Sequence, residues 1–148
     1  MLENAGTIAT ASVVVSDGKG VYLVKRSRGA FIGMWALPGG KLDCGKETLE
    51  EAAIRELREE TSLIVEEKDL SILAVNSKPD RDPRGHYIDH VFIALEFRGE
   101  PKAGDDASEV KYFEFGNLPP LAFDHDKNIN ILLKQLELFK LIHERIKK

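Results

Sequence analysis

The sequence predicts an α/β (α+β) fold, a mixed sheet with helices packed on it. Three observations carry that reading. β-Branched runs open the chain and recur in its middle. One strongly helical segment separates them, and a second amphipathic segment closes the chain. The order of strands, helix, strands, helix is neither a regular βαβ alternation nor an all-β pattern.

Residues 7–15 (TIATASVVV) are β-branched and read as a strand. Asp17-Gly18 and Gly20 make a turn, and residues 21–25 (VYLVK) follow, so the two runs are expected to form a hairpin. Residues 27–46 are glycine-rich and hold the turn Pro38-Gly39-Gly40. The pattern becomes helical from Glu47 to about Thr61. Residues 70–75 and 87–97 read as strands joined by a polar loop over 76–86. A second polar loop covers 99–109, then a short strand 110–115, which Asn117-Leu118-Pro119-Pro120 ends. Ile129, Leu132, Leu133, Leu136 and Phe139 recur at helical spacing, with Asp124 or Asp126 as the expected cap.

The 148 residues suit one domain, 1–148, large enough to bury a core without a disulfide or structural metal. Hydrophobic residues form 43% and charged residues 31%, which excludes a disordered chain. No apolar run reaches a membrane span. The start, Met-Leu-Glu-Asn-Ala-Gly, lacks the basic and apolar regions of a signal peptide, and Cys44 is the single cysteine, so a cytoplasmic location is expected. Lys+Arg number 21 against 25 Asp+Glu, a net charge of -4. That balance argues against nucleic-acid polymers and anionic membranes as partners. It leaves open a small anion, because a bound divalent metal reverses the local field.

The mid-chain helix reads ETLEEAAIRELREET. At ~100° per residue, Leu49, Ala52, Ala53 and Leu57 share one side, which should pack on the sheet. Glu51, Arg55 and Arg58 lie opposite, whereas Glu56 and Glu60 project within roughly 20° of Leu49 and Glu59 within roughly 80°. Like charges at these spacings repel, near the negative end of the helix dipole. Desolvated carboxylates must be paired, protonated or bound to metal, and hard oxygen ligands suit Mg²⁺ or Mn²⁺. The plain alternative is a face open to solvent with Arg55–Glu59 as an ordinary i,i+4 pair.

Glu47, followed eight positions later by Arg55-Glu56-Leu57-Arg58-Glu59-Glu60 and preceded by Pro38-Gly39-Gly40, closely resembles the signature of the Nudix hydrolase family. Glu47, Arg55, Glu56, Leu57, Glu59, Glu60 and Leu63 match it. Two positions depart: Gly40 lies one residue too far from Glu47, and Ser62 stands where the family has glycine. The resemblance implies a Nudix-like α/β/α sandwich and a hydrolase. Water attacks a phosphorus of a diphosphate linked to another group, with Mg²⁺ as cofactor and Mn²⁺ as its substitute. It implies that Glu56, Glu59 and Glu60 hold the metal and carry catalysis, aided by a main-chain carbonyl at or near Gly39. Arg55, Glu47 and Gly40 would support them.

Arg81-Asp82-Pro83-Arg84-Gly85-His86, Leu121-Ala122-Phe123-Asp124-His125 and Asp105-Asp106-Ala107-Ser108-Glu109 look like the ADP-ribose pyrophosphatase branch. The implied reaction is ADP-ribose plus water to AMP and ribose 5-phosphate. Arg81 and Arg84 can clamp phosphate oxygens, or sit in a loop held by Asp–Arg pairs. Asp106 is expected as a further metal ligand, Glu109 as the base and Asp105 as a substrate contact, against a plainly solvated loop. Arg26 and Lys41 are candidate phosphate contacts. Phe31 and Trp35 can stack on adenine, or pack in the core. His125 either contacts substrate or packs at the start of the last helix, and Cys44 has no recognisable base partner. The small-molecule substrate is a nucleotide diphosphate, and a homodimer through the first strands and exposed apolar residues is expected. Two competing functions stay open: a nucleoside triphosphate pyrophosphohydrolase of the oxidised-nucleotide sanitising type, and a non-catalytic module that senses ADP-ribose or a nucleotide.

Overall fold

The computed structural model describes residues 6–104 and 107–148. In chain order the elements are β1 (Ile8–Val15), β2 (Gly20–Arg26), β3 (Trp35–Ala36), β4 (Gly39–Lys41), α1 (Leu49–Thr61), β5 (Leu70–Asn76), β6 (Tyr87–Ala94), β7 (Ala107–Glu114) and α2 (His125–Ile146). The strands form a four-stranded mixed sheet, β4-β1-β6-β5, and a three-stranded antiparallel sheet, β3-β2-β7. β1 and β6 run parallel, with Thr10 opposite Asp89.

β1 explains why helices cover both faces, because successive side chains point to opposite sides of a strand. Ala11, Val13 and Val15 pack with Ala52, Ala53 and Leu57 of α1 and with Phe92 and Ala94 of β6. Val14 joins Leu23, Leu37, Val91, Ile129 and Leu132 on the other side, against the first turns of α2. The result is the expected α/β/α layering, split into two sheets. Leu57 is fully buried, and truncating it to alanine should cost about 2–5 kcal/mol. Towards the start of β1 the second face turns from Val14 to Ser12 and Thr10. A cleft opens at this polar end.

α1 begins where Thr48 accepts the Glu51 N–H at 3.1 Å. It ends at Ser62, whose φ of 63° is the left-handed conformation that favours glycine. The Ser62 hydroxyl donates to the Lys102 carbonyl at 3.3 Å, partly offsetting a strain of about 1–2 kcal/mol. The Lys102 and Gly104 N–H groups donate to the Thr61 and Glu60 carbonyls at 2.7 and 3.1 Å. The acid-bearing last turn is thereby finished by the 102–104 segment.

Four expectations are corrected. β1 and β2 do not form a hairpin; they belong to different sheets, joined by the single bridge Ser16–Val21. Both edges of β1 are taken, by β4 and β6, so none is left for β2. β6 stops at Ala94, because the chain then turns to pair Arg98 with Ile64. β7 starts at Ala107, which moves Glu109 from a loop into a strand. Asp124 stands at the cap position of α2, but its side chain makes no cap hydrogen bond and is spent on Arg81.

Candidate active site

Arg55 organises the exposed side of the acid cluster. Its guanidinium grips Glu47 with two hydrogen bonds, of 2.9 and 2.6 Å, and reaches Glu56 at 2.9 Å and Glu59 at 3.3 Å. It also donates to the Lys41 carbonyl at 3.2 Å. Glu47 in turn accepts the Asp43 N–H at 2.8 Å, which ties the loop before α1 to the helix. The Arg55 hydrogen bonds hold the Glu47 carboxyl down at about 2. Glu59 is the outlying acid, with its side chain 41% exposed.

Glu60 lies on the inner side, 6% exposed. It accepts the Gly39 N–H at 3.2 Å. Burial, with Glu56 nearby, pushes its carboxyl up to about 8 against the pull of that N–H and of Arg26. Burial also raises Glu56, in spite of Arg55. The Pro38-Gly39-Gly40 turn permits this packing. A Cβ at Gly40 would stand 2.4–2.7 Å from the Glu56 carboxylate, and one at Gly39 would strike the Ala11 carbonyl and Ser12. Glu56 therefore packs against backbone that only glycine leaves room for, and Gly39 lets the same turn lie close against β1.

Basic residues share the space with them. A cleft of about 400 Å³ is lined by Glu56 and Glu60 together with Arg26, Arg28, Lys41 and Arg84. Arg26 and Arg84 converge on Gly29, where an added Cβ would meet Arg84 Nη1 at 3.0 Å and Arg26 Nη2 at 3.2 Å. Gly29 has a φ of +75°. Arg84 is paired with Asp82 at 2.9 Å. Arg26 is held by main-chain carbonyls, the Ala30 oxygen at 2.5 Å and the Arg28 oxygen at 3.4 Å. Burial and the charge of Arg84 lower its pKa. Phe123 is wedged among the guanidiniums, its ring centroid 4.9 Å from Arg26 and 5.9 Å from Arg84.

Deeper in, the cleft meets a second polar group that is internally complete. Arg81, its side chain 4% exposed, grips Asp124 with hydrogen bonds of 2.9 and 2.6 Å and lies 3.8 Å from Asp89. Asp89 accepts from Thr10 at 2.9 Å and from Ser12 at 3.0 Å, and His125 Nε2 faces it at 3.6 Å. Burial alone would raise the Asp89 carboxyl, but His125, Thr10 and Arg81 outweigh it and the net shift is downward. Asp124 moves the same way, through Arg81.

Arg81 lines the deeper part of the cleft as an Asp–Arg pair, its Nε and Nη2 donating to Asp124. Several other residues singled out in the sequence stand elsewhere. Trp35 packs edge-on against Phe113 at 4.9 Å and on the core around Leu37. Phe31 packs on Phe123 at 4.6 Å and lines neither cavity. Glu109 is exposed on β7 opposite Lys25, away from the cleft lining. Asp105 and Asp106 lie outside the described residues. Cys44 is exposed. Tyr87, Phe123, Asp82 and Asp89 line the cleft without having been singled out as site residues. Asp89 carried a signal, a charge inside the apolar strand YIDHVFIA.

Among the described residues, no three His, Cys, Asp or Glu side chains converge closely enough to hold a metal ion. The donor set nevertheless fits a hard divalent ion in its chemistry. Glu60, and Glu56 beyond its pairing with Arg55, offer carboxylate oxygens beside the main chain of Gly39 and Gly40. Glu59 has to leave Arg55 to become a third ligand. No helix among the described residues is long and apolar enough to cross a membrane.

Comparison with known proteins places these features in context. A model of the NUDIX domain matches residues 6–135. An ADP-ribose pyrophosphatase of Methanocaldococcus jannaschii is 52% identical over 122 residues, 82% of this chain and 70% of that protein. The structure of a bifunctional NMN adenylyltransferase/ADP ribose pyrophosphatase of Francisella tularensis, complexed with AMP and a manganese ion, superposes with a TM-score of 0.77 at 33% identity. That match covers 88% of this chain and 42% of the Francisella chain. The NUDIX domain of Shewanella oneidensis NrtR, complexed with ADP ribose, superposes with a TM-score of 0.79 at 29% identity, covering 88% of this chain and 89% of that one.

Proposed function

This chain belongs to the NUDIX family of hydrolases, and from that premise we propose that it cleaves ADP-ribose to AMP and ribose 5-phosphate, with Mg²⁺ or Mn²⁺ bound at Glu56, Glu59 and Glu60. One observation carries the reading: buried carboxylates line a single cleft with guanidiniums, of which Arg26 and Arg84 converge on Gly29. Burial raises the carboxyls of Glu56 and Glu60 and lowers Arg26, together with the charge of Arg84, itself paired with Asp82. A cation with a diphosphate satisfies carboxylates and guanidiniums at once.

A bound divalent cation neutralises phosphate oxygens and lowers the pKa of an attacking water. The chain's own residues supply the rest. Arg26 and Arg84 orient the diphosphate by charge-assisted hydrogen bonds across Gly29. The Gly39 N–H keeps Glu60 aimed at the cleft. Arg55, anchored by Glu47, keeps Glu56 and Glu59 on the same side. Phe123 and Tyr87 supply the aromatic surface that sequence reasoning sought in Phe31 and Trp35.

The test is a panel of ADP-ribose, other nucleoside diphosphate derivatives and oxidised or normal triphosphates with Mg²⁺, with products identified by phosphorus NMR. Faster turnover of ADP-ribose with AMP as product supports the reading. Preference for triphosphates supports the sanitising alternative, and tight binding without turnover supports the sensor. We also place the enzyme in the cytoplasm as a homodimer. The dimer would use the distal half of α2, where Leu138, Phe139, Leu141, Ile142 and Ile146 are exposed; light scattering on a Phe139→Glu variant checks it.

A further inference from the structure

His125 lies across the cleft from the acids of α1, yet it grips the segment that touches them. Between β3 and β4 the chain runs Leu37-Pro38-Gly39. The buried Leu37 N–H donates to His125 Nδ1 at 3.0 Å, across 88 positions of sequence. The Pro38 carbonyl accepts from Val13 at 2.9 Å, and the Gly39 N–H goes to Glu60 at 3.2 Å. The start of α2 is stitched to the same segment just upstream. The Ala122 N–H donates to the Trp35 carbonyl at 2.8 Å, and Trp35 bridges Leu121.

The direction of the Leu37 bond fixes the imidazole. A backbone N–H needs a bare Nδ1 as acceptor, which leaves Nε2 as the ring's donor, facing Asp89 at 3.6 Å. Asp89 is itself locked by Thr10 and Ser12. The ring is 4% exposed. A continuous chain of contacts thus runs from Asp89 through His125 and the Leu37–Gly39 turn to the Glu60 carboxylate.

We propose that His125 is a positioning residue for Glu60, acting through Nδ1 on the Leu37–Gly39 turn that presents the Gly39 N–H. The proposal rests on the reading of Glu60 as an active-site carboxylate. It differs from simple packing in one respect: only an acceptor at the Nδ1 position serves.

Three variants test it. The amide of His125→Asn can place an oxygen where Nδ1 stands, that of His125→Gln reaches the Nε2 position, and His125→Ala supplies neither. Two quantities are read: kcat and KM with ADP-ribose, and amide hydrogen exchange of Leu37 and Gly39 in the metal-free protein. Alanine and glutamine should lower kcat by about 10–100-fold, the usual effect of removing an outer partner of an active-site ligand, with KM nearly unchanged. Leu37 protection should be lost in both and kept with asparagine, which should restore most of kcat. Equal behaviour of asparagine and glutamine in both readouts overturns the proposal, as does wild-type kcat in a variant whose Leu37 amide has lost protection. If the alanine variant does not fold, the asparagine–glutamine pair decides. The exchange readout needs no substrate. Inactivity of the wild type on ADP-ribose therefore strikes the functional reading alone, and the exchange pattern still judges His125.

Discussion

The acids of α1 and the acids around Arg81 share one cleft, yet burial has acted on them in opposite ways. Glu56 and Glu60 are pushed towards their neutral forms, and Glu60 titrates near 8. Asp82, Asp89 and Asp124 are equally enclosed and held below the ordinary carboxylate range. The difference lies in partners. Arg84 pairs with Asp82, Arg81 with Asp124, and Thr10, Ser12 and His125 with Asp89. Near Glu60 stand the Gly39 N–H, the more distant charge of Arg26 and the further carboxylates of Glu56 and Glu59. The first group is finished structure; the second suits a cation.

Glu60→Gln should separate the two groups most sharply. Turnover should fall by about 10²–10⁴-fold, the range for losing a group that acts on the reacting water. The melting temperature of the metal-free protein at pH 8 should hold or rise, because a strained carboxylate is gone. Steady-state kinetics beside calorimetry checks both; a large fall in melting temperature breaks the contrast. Arg81→Met should do the reverse. Removing one partner of a buried ion pair costs about 3–5 kcal/mol, which for a chain of this size lowers melting by roughly 10 °C. A melt unchanged from wild type places Arg81 outside the finished group. Arg26→Ala should raise KM or lower kcat/KM by about 10–100-fold, as expected for hydrogen bonds to charged groups, with little loss of stability. Unchanged kinetics removes Arg26 from the phosphate contacts.

The last contrast is a pH slope. Glu60 has a folded pKa near 8 against 4.5 unfolded, so its contribution is full below about 4.5 and is lost as pH rises through 8. The aspartates have depressed folded pKa values. Their contribution is present above about 3.9 and is lost as pH falls below it. Melting of the metal-free protein should therefore decline on both sides of mildly acidic pH. The alkaline decline should flatten in Glu60→Gln or with added Mn²⁺. The acid decline should persist in both.

The α1 group was legible because it is local. Helical periodicity put Glu56 and Glu60 beside Leu49 and offered the Arg55–Glu59 pair, found at 3.3 Å, whereas the tighter Arg55–Glu47 pair was not anticipated. The Arg81 group was not, because its members meet through distant pairing. Thr10 meets Asp89 only when β1 lies parallel to β6 in one register, across 79 positions. Periodicity says nothing about which strands pair, which is also why β1 and β2 looked like a hairpin. An arginine between aspartates reads equally as a clamp or as half of an ion pair until the strand order is known. Phe123, although part of the stretch Leu121-Ala122-Phe123-Asp124-His125, had no legible role for a similar reason. Its role comes from the turn before α2, where its φ of 54° sets the ring among the arginines.

Titration calorimetry of Mn²⁺ into the metal-free protein at pH 7, repeated in buffers of different ionisation enthalpy, tests the unfinished acid group most directly. With Glu60 mostly protonated at that pH, binding should release close to one proton per ion, and Glu60→Gln should bind far more weakly with no such release. Equal affinity in the two proteins, or binding by the wild type without proton release, would contradict the account.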